Sequence, residues 1–279
     1  MFEIMSADPL FYAMFATALL ATGAIAGVLA GLLGVGGGIV IVPVLFLLFP
    51  LLGVHDSVLM HLAVGTSLAT IIPTSIMSAR AHHKRGGVDF ALLKSWGPAI
   101  FVGVIGGAYF GSTVKGETLT LIFAVVAILV AINMAFRKEG MVLSDALPTG
   151  IARHALALVV GMFSVVMGIG GGTLSVPILT AFNYPIRRAV GTASAIGLII
   201  ALPGSVSFIL SGLGNSNLPP ASLGYANLAG FILIVPATML MAPVGVRLAH
   251  TINPKNLRKA FALFLLLTSL RMFYSVFIG

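Results

Sequence analysis

The sequence predicts an all-α polytopic membrane protein that consists of two inverted-topology repeats of about five helical segments each. Three observations lead to this prediction: the composition, a series of long apolar segments, and a duplicated glycine motif. Of the 279 residues, 59% are hydrophobic and only 8% are charged, and the mean hydropathy is +1.13. A chain with so few charges is typical of a protein whose solvent is lipid.

Ten apolar segments follow one another along the chain, and each is predicted to be a helix. At a rise of about 1.5 Å per residue, most of them reach across the roughly 30 Å of bilayer hydrocarbon. The segments that start at Ile39 and Thr173 would span only about 22 Å and about 16 Å, too little to cross comfortably. The predicted segments are Leu10–Leu33, Ile39–Gly53, Leu62–Ala79, Phe90–Val114, Leu119–Phe136, Ile151–Met167, Thr173–Asn183, Val190–Leu213, Tyr225–Ala249 and Ala260–Ile278.

A triple-glycine motif precedes each of the two short segments. The first copy reads GVGGGIVIVP at Gly34–Pro43, and the second reads GIGGGTLSVP at Gly168–Pro177. Each copy is followed by a second shared element, AVGTS at 63–67 and AVGTA at 189–193. The two halves of the chain are therefore predicted to be repeats, with interrupted or short helices at the glycine turns.

The two repeats are predicted to enter the membrane from opposite sides, because each holds an odd number of segments. With the N-terminus outside, every Lys and Arg except Lys115 and Arg271 falls on the cytoplasmic side, as the positive-inside rule requires. The C-terminus is then also outside. The first segment has no basic region before it, and we expect it to stay in the mature chain. The predicted division is one transport domain over 1–279, with repeat 1 at about 10–136, a loop at 137–150 and repeat 2 at about 151–278.

The glycine turns are the predicted substrate site. Secondary transporters with inverted repeats and interrupted helices bind substrate near the midplane, with helix N-termini directed at an anionic group. A tight turn alone is the alternative reading of the same glycines. Other glycines, such as Gly27 and Gly107, have spacings that favour helix packing.

Hydroxyls and one cation complete the predicted site. The Thr residues of the two GT elements either cap their own helices or donate to an anion. Arg271, which lies in an apolar segment, either holds a sulfonate or extends to the interface. The predicted substrate-binding residues are Gly36, Gly37, Gly38, Gly65, Thr66, Ser67, Gly170, Gly171, Gly172, Thr173, Gly191, Thr192, Ser194 and Arg271.

The doubled pattern G-[VI]-G-G-G-x-x-x-V-P, with V-G-T after each copy, resembles the sulfite exporter TauE/SafE family of membrane transporters. The resemblance extends from about Ala13 to Phe277. It implies movement of small sulfur-containing anions, such as sulfite, thiosulfate, sulfoacetate or other organosulfonates, across the bacterial cytoplasmic membrane, and it fixes neither substrate nor direction. Ala193 stands where the first copy has Ser67, so the two half-sites are expected to be unequal.

Other classes of function receive less support. The sequence contains no P-loop, nucleophile elbow or zinc-protease motif, and we predict no enzyme activity, cofactor or metal site. The isoelectric point of about 10.2 reflects basic loops that set orientation, and we predict no nucleic-acid partner. A passive anion channel or membrane sensor with the same glycine-lined site is the alternative to a transporter. Besides the bilayer and the anion, the sequence leaves open a homodimer.

Overall fold

The computed structural model describes residues 9–136, 143–249 and 254–278. Within these ranges the chain is almost entirely helical, which confirms the all-α prediction. A short 3-10 helix and one pair of two-residue strands complete the secondary structure. The helices are α1 (Pro9–Leu33), α2 (Gly38–Leu48), α3 (Asp56–His83), α4 (Phe90–Thr113), α5 (Gly116–Phe136), α6 (Gly150–Val166), α7 (Gly172–Ala181), α8 (Ile186–Gly212), α9 (Leu228–Leu248) and α10 (Pro254–Phe277).

Six of these helices are long and apolar enough to cross a membrane, namely α1, α3, α4, α5, α8 and α9. Large apolar side chains cover their outer faces; Leu129, Ile232 and Leu240 are 60%, 64% and 71% exposed. A continuous apolar exterior of this kind would be unstable in water and suits contact with lipid. The chain is therefore a multi-pass membrane protein.

The two predicted short helices are present. α2 has 11 residues and α7 has 10, and each begins at the last glycine of its triple-glycine motif. α2 continues into a 3-10 turn at Phe49–Leu52, which ends at Gly53 with a positive φ of 73°. At about 1.5 Å per residue, α2 and α7 are about 16 Å and 15 Å long, roughly half the hydrocarbon thickness.

The helices after the two short ones begin earlier than the apolar pattern predicts. α3 starts at Asp56 instead of Leu62, and α8 starts at Ile186 instead of Val190. His55 caps α3, since its ring accepts the N–H of Ser57, and Asp56 in the first turn interacts favourably with the helix dipole. Polar first turns extend both helices beyond the apolar runs that identified them.

Helices of the first half pair closely with helices of the second. α1 packs along α9, α4 along α6, α3 along α8 and α5 along α10. Glycines make the first two contacts possible: a Cβ on Gly27 would lie 2.7 Å from the carbonyl oxygen of Thr238, and one on Gly107 would lie 2.6 Å from that of Met162. The packing role predicted for these glycines is confirmed.

The contacts also give the relative directions of the paired helices. Along α1, Gly23 meets Ile234 and Gly27 meets Thr238, so residue numbers rise together and α1 runs parallel to α9. The contacts of Gly103 with Leu158 and of Gly107 with Met162 make α4 parallel to α6 in the same way.

α3 and α8 instead run antiparallel through the centre. Gly191, near the start of α8, meets the backbone of Gly87, just after the end of α3. At the opposite ends, Gly65 of α3 and Gly212 at the end of α8 both meet the backbone of Tyr225.

A small hairpin before α9 was not predicted from the sequence. Strands β1 (Ser222–Leu223) and β2 (Ala226–Asn227) pair antiparallel. The helix expected to start at Tyr225 begins only at Leu228, because the Asn227 side chain accepts the N–H of Gly230 and caps the helix.

Candidate functional site

The two triple-glycine turns lie in direct backbone contact. We call residues 34–38 the first glycine loop and residues 168–172 the second glycine loop. A Cβ built on Gly36 would lie 2.9 Å from the Cα of Gly170, and one on Gly170 would lie 2.8 Å from the Cα of Gly36. A Cβ on Gly38 would overlap the carbonyl oxygen of Gly168. The fold thus brings the two sequence motifs to one buried point, and the absence of side chains there allows the two loops to touch.

The loops differ in backbone conformation. Gly36 and Gly37 have positive φ angles of 72° and 82°, a region that glycine adopts without strain. Gly171, which occupies the place of Gly37 before α7, has a φ of −57°. A Cβ built on Gly37 would meet Ala26, and one built on Gly171 would meet Ile196. Both glycines are therefore packing positions as well as predicted ligand positions.

The first turn of each short helix presents backbone N–H groups without an acceptor. The initial N–H groups of a helix have no intrahelical partner, and neither Gly37 nor Gly171 offers a side-chain cap. Within the described part of the chain, the N–H groups of Gly38 and Gly172 donate to no protein acceptor. The two helix starts carry partial positive charge, and this arrangement can hold an anion.

Charged side chains are not part of this buried region. Among the described residues, the buried polar side chains are hydroxyls, one asparagine and two histidines, and they include no Lys, Arg, Asp or Glu. Any positive potential at the glycine loops therefore comes from backbone dipoles. An anion held by dipoles avoids the cost of a buried, unpaired cation when the site is empty.

The GT elements do not cap the helices that contain them, which corrects one of the two predicted roles. Thr66 lies inside α3 and Thr192 inside α8, because both helices begin earlier than predicted. The Thr66 hydroxyl accepts the backbone N–H of Asn227 at 2.9 Å, and the Thr192 hydroxyl accepts that of Asp89 at 2.9 Å. Thr66 thereby connects α3 to the N-cap of α9, and Thr192 connects α8 to the N-cap of α4, in each case across the two halves.

The two serines of these elements also bind protein. Ser67 donates to the carbonyl oxygen of Gly168 in the second glycine loop at 2.7 Å. Ser194 shares a 3.0 Å hydrogen bond with Ser78 and donates to the carbonyl of Val190. Ser67 is the predicted site residue that connects a GT element directly to a glycine loop.

Besides Ser164 on α6, whose backbone carbonyl accepts the N–H of Ile169, two buried hydroxyls near the second glycine loop have no hydrogen-bond partner among the described residues. They are Thr173, in the first turn of α7, and Ser75, in the middle of α3; the two residues are 3% and 0% exposed. A Cβ on Gly197 of α8 would lie 2.6 Å from Ser75 Oγ and 3.8 Å from the backbone nitrogen of Gly171. Ser75 and Gly197 were not predicted as site residues, although the sequence of α3 is rich in hydroxyl side chains around Ser75.

Arg271 is not brought to the glycine loops. Its side chain is exposed on α10, and its guanidinium lies 5.4 Å from the ring centre of Tyr274. Of its two predicted roles, the structure matches the interfacial one, since an exposed Arg beside an exposed Tyr is typical of a helix end near the headgroups.

A charged cluster lies where α4 begins beside α8. Asp89 accepts hydrogen bonds from the hydroxyl of Tyr184 and from the first-turn N–H groups of α4, and its Oδ2 lies 2.9 Å from Nη2 of Arg188. The Tyr184 hydrogen bond, the nearby N–H groups and Arg188 lower the pKa of Asp89. Burial and Asp89 raise the pKa of Tyr184. The cluster joins the two halves at one end of the central helix pair.

A cavity of about 370 Å³ lies away from the glycine loops, where α3 and α5 begin. Charges of both signs line it, and it therefore has no evident preference for an anion. Its lining residues are His55, Asp56, Ser57, Lys115, Gly116 and Glu117.

The fold and the charge-free buried site define the class of protein: a multi-pass, all-α membrane protein with two short helices that meet at glycine loops. The model of the family described as Sulfite exporter TauE/SafE matches residues 19–272. The chain belongs to this family of membrane transporters, as the duplicated glycine motif predicted.

Curated relatives cover nearly the whole chain. A probable membrane transporter protein of Haemophilus influenzae is 37% identical, over 91% of this chain and 96% of its own. Probable membrane transporter proteins of Methanocaldococcus jannaschii and Bacillus subtilis are each 28% identical; they cover 86% and 92% of this chain and 88% and 96% of their own. No solved structure gives a significant match. These relatives are transporters by name, and none of the names specifies a substrate.

Proposed function

We propose that this protein is a secondary transporter that moves small sulfur-containing anions across the bacterial cytoplasmic membrane. Sulfite, thiosulfate, sulfoacetate and other organosulfonates form the proposed substrate class. The observation that carries the proposal is the contact between the two glycine loops, where the N-termini of α2 and α7 present free N–H groups in a region without charged side chains. The family description supplies the sulfur-containing anion.

The two halves are proposed to be inverted repeats. Equivalent helices of opposite insertion must run antiparallel, and α3 and α8 do so. Under the same scheme α1 must run parallel to α9 and α4 parallel to α6, as their glycine contacts require. The N-terminus then lies outside and the Lys- and Arg-rich loops lie in the cytoplasm.

The close contact of the loops favours a carrier over an open pore. The backbones of Gly36 and Gly170 touch, so an anion could pass between these two residues only after the halves shift relative to one another. Alternating access by motion of one repeat against the other is the general mechanism for transporters built in this way.

Binding is tested with purified protein by thermal unfolding in sodium sulfite, thiosulfate or sulfoacetate, with sodium chloride at matched ionic strength as the control. A ligand that binds only the folded state raises the unfolding temperature with concentration. We expect sulfur oxyanions to do so and chloride not to. Equal shifts in all four salts would contradict the proposed substrate class.

Transport is tested by counterflow in liposomes. Vesicles loaded with unlabelled sulfoacetate should transiently accumulate external radiolabelled sulfoacetate, because a carrier exchanges one molecule for another through a single alternating site. Simple equilibration without an overshoot would indicate a passive channel instead.

A further inference from the structure

The surroundings of the two glycine loops differ, although the loops occupy corresponding places in the two halves. Ile39 follows the first triple glycine, whereas Thr173 follows the second. The sixth residue after the glycine of each GT element is Ile71 in α3 and Gly197 in α8. At these two compared positions the first half has aliphatic side chains, and the second half has a hydroxyl and a glycine.

Side-chain packing closes the first loop. Ile39 and Ile71 are both fully buried. The Cδ1 atom of Ile71 would lie 2.8 Å from a Cβ on Gly38, and its Cγ2 would lie 3.3 Å from one on Gly36. The hydroxyl beside these aliphatic carbons is that of Ser67, whose Oγ would lie 2.9 Å from a Cβ on Gly38. It already donates to the carbonyl of Gly168, so the first loop has no unpartnered hydroxyl on this side.

The second loop also packs against aliphatic carbon, from Ile196 and Ile200 at Gly171, but it has unpartnered hydroxyl groups beside it. Ser75 Oγ and the backbone nitrogen of Gly171 both lie within 4 Å of the place where a side chain on Gly197 would begin. Ser75 and Thr173 are buried, and their hydroxyls have no partner among the described residues. Buried hydroxyls are almost always hydrogen-bonded, so two such groups around one helix start indicate a missing acceptor.

Neighbouring hydroxyls do not share this property. Ser67 donates to Gly168, Ser175 donates to the carbonyl of Gly171, and Thr70 donates to the carbonyl of Ser67. Ser75 and Thr173 differ from these satisfied neighbours, and Ser164 at the end of α6 is a further buried hydroxyl without a partner among the described residues.

We propose that the anion site lies on one side, at the second glycine loop. The oxygen atoms of a sulfite or sulfonate group accept from the hydroxyls of Ser75 and Thr173 and from the free N–H groups at the start of α7, and the missing side chain of Gly197 lets Ser75 Oγ approach the start of α7. The first loop is the structural counterpart that supports the second loop and binds no ligand. This inference rests on the proposed function and specifies which half of the chain recognises the substrate.

The test measures sulfite affinity by thermal shift and by titration calorimetry. Ser75→Ala and Thr173→Val should each weaken sulfite binding about tenfold to a hundredfold, the range expected for one hydrogen bond to a charged group. Thr173→Ser retains the hydroxyl and should bind as the wild type does. Ser269→Ala is the matched control, because Ser269 is a fully buried, unpartnered hydroxyl on α10, and it should leave the affinity unchanged.

A double variant addresses the space beside Gly197. In Gly197→Ala alone the new methyl would press on Ser75 Oγ; when Ser75→Ala is added, the nearest atom is the Cβ of residue 75 at 3.6 Å, an ordinary contact. The double variant should therefore fold with an unfolding temperature near that of the wild type and fail to bind sulfite.

The two proposals fail in different ways. Wild-type sulfite binding that persists at full affinity in both Ser75→Ala and Thr173→Val would overturn the one-sided site and leave the transporter proposal intact; the hydroxyls would then hold water. A wild-type protein that binds no sulfur oxyanion would overturn the proposed function, and the one-sided site with it.

Discussion

The backbone N–H of Asp89 donates to the hydroxyl of Thr192 at 2.9 Å, which joins the N-cap of α4 to the second turn of the central helix α8. Thr66 and Asn227 form the matching bond at the start of α9. In both cases the glycine before the Thr allows the close approach, since a Cβ on Gly65 or Gly191 would overlap the facing backbone. These bonds hold the two halves together at both ends of the α3–α8 pair.

Thr192→Val should therefore destabilise the protein. The change leaves the Asp89 N–H without an acceptor in a partly buried place, at a cost of about 1–3 kcal/mol. Thermal unfolding of the purified protein should show a lower midpoint for Thr192→Val and a nearly unchanged one for Thr192→Ser, which retains the hydroxyl. A valine variant as stable as the wild type would show that this bond contributes nothing.

Gly172→Ala should be strongly destabilising. Its new Cβ would overlap the carbonyl of Gly34 in the opposite loop, so the two loops would have to separate. Gly106→Ala is the matched control, because Gly106 is an exposed helical glycine of α4 with no atom within 4 Å of a built Cβ; we expect it to be neutral or slightly stabilising. Folded yield and unfolding temperature are the measurements, and equal results for the two variants would contradict the backbone contact.

The inverted arrangement predicts where single cysteines react. The chain has no Cys, and Asp56, Lys84, Lys115, Arg187 and Asn217 are all exposed. Cysteines at 56, 115 and 217 should react in intact cells with a membrane-impermeant thiol reagent, and those at 84 and 187 should react only after permeabilisation. If positions 115 and 187 reacted from the same side, the two halves could not be inverted.

The Asp89–Tyr184 hydrogen bond predicts a pH dependence of stability. The pKa of Asp89 is lowered in the folded state. The contribution of the ionised Asp89 to the free energy of unfolding is therefore fully present above about pH 4, the usual Asp value, and is lost as the pH falls through the lowered pKa. Tyr184→Phe removes the largest cause of that shift. It should cost about 1–3 kcal/mol near neutral pH and progressively less in acid.

The raised pKa of Tyr184 gives the opposite pH dependence. Its contribution to the free energy of unfolding is present below about pH 10, the usual Tyr value, and is lost as the pH rises through the raised pKa. Unfolding midpoints between acid and neutral pH, compared for wild type and Tyr184→Phe, test the acid limb. Tyr109→Phe is the control, since Tyr109 is 73% exposed. If the destabilisation caused by Tyr184→Phe were the same at acid and neutral pH, the hydrogen bond from Tyr184 would not be the cause of the lowered Asp89 pKa.

Much of the architecture was predictable because it follows from local physics. Long apolar runs must lie in lipid, and each triple glycine must interrupt a helix, so the short α2 and α7 were expected to start within one residue of the observed starts. Errors occurred where polar residues decide a helix start. Asp56 begins α3 because the His55 cap and the helix dipole favour a polar first turn that an apolar pattern does not detect. α8 begins at Ile186, directly after Pro185, without a side-chain cap or an acidic residue in its first turn.

The composition and the duplicated motif by themselves determined the solvent, the helical class, the family and the glycines that matter. Only the tertiary structure decided which hydroxyls are already used. Thr66 and Thr192 were expected either to cap their own helices or to donate to an anion, and each, instead of capping, accepts an N–H from a residue more than 100 positions away in the chain. Ser75 and Thr173 remain free. Hydrogen-bond satisfaction depends on partners that packing supplies across the two halves, and no local pattern of residues encodes it.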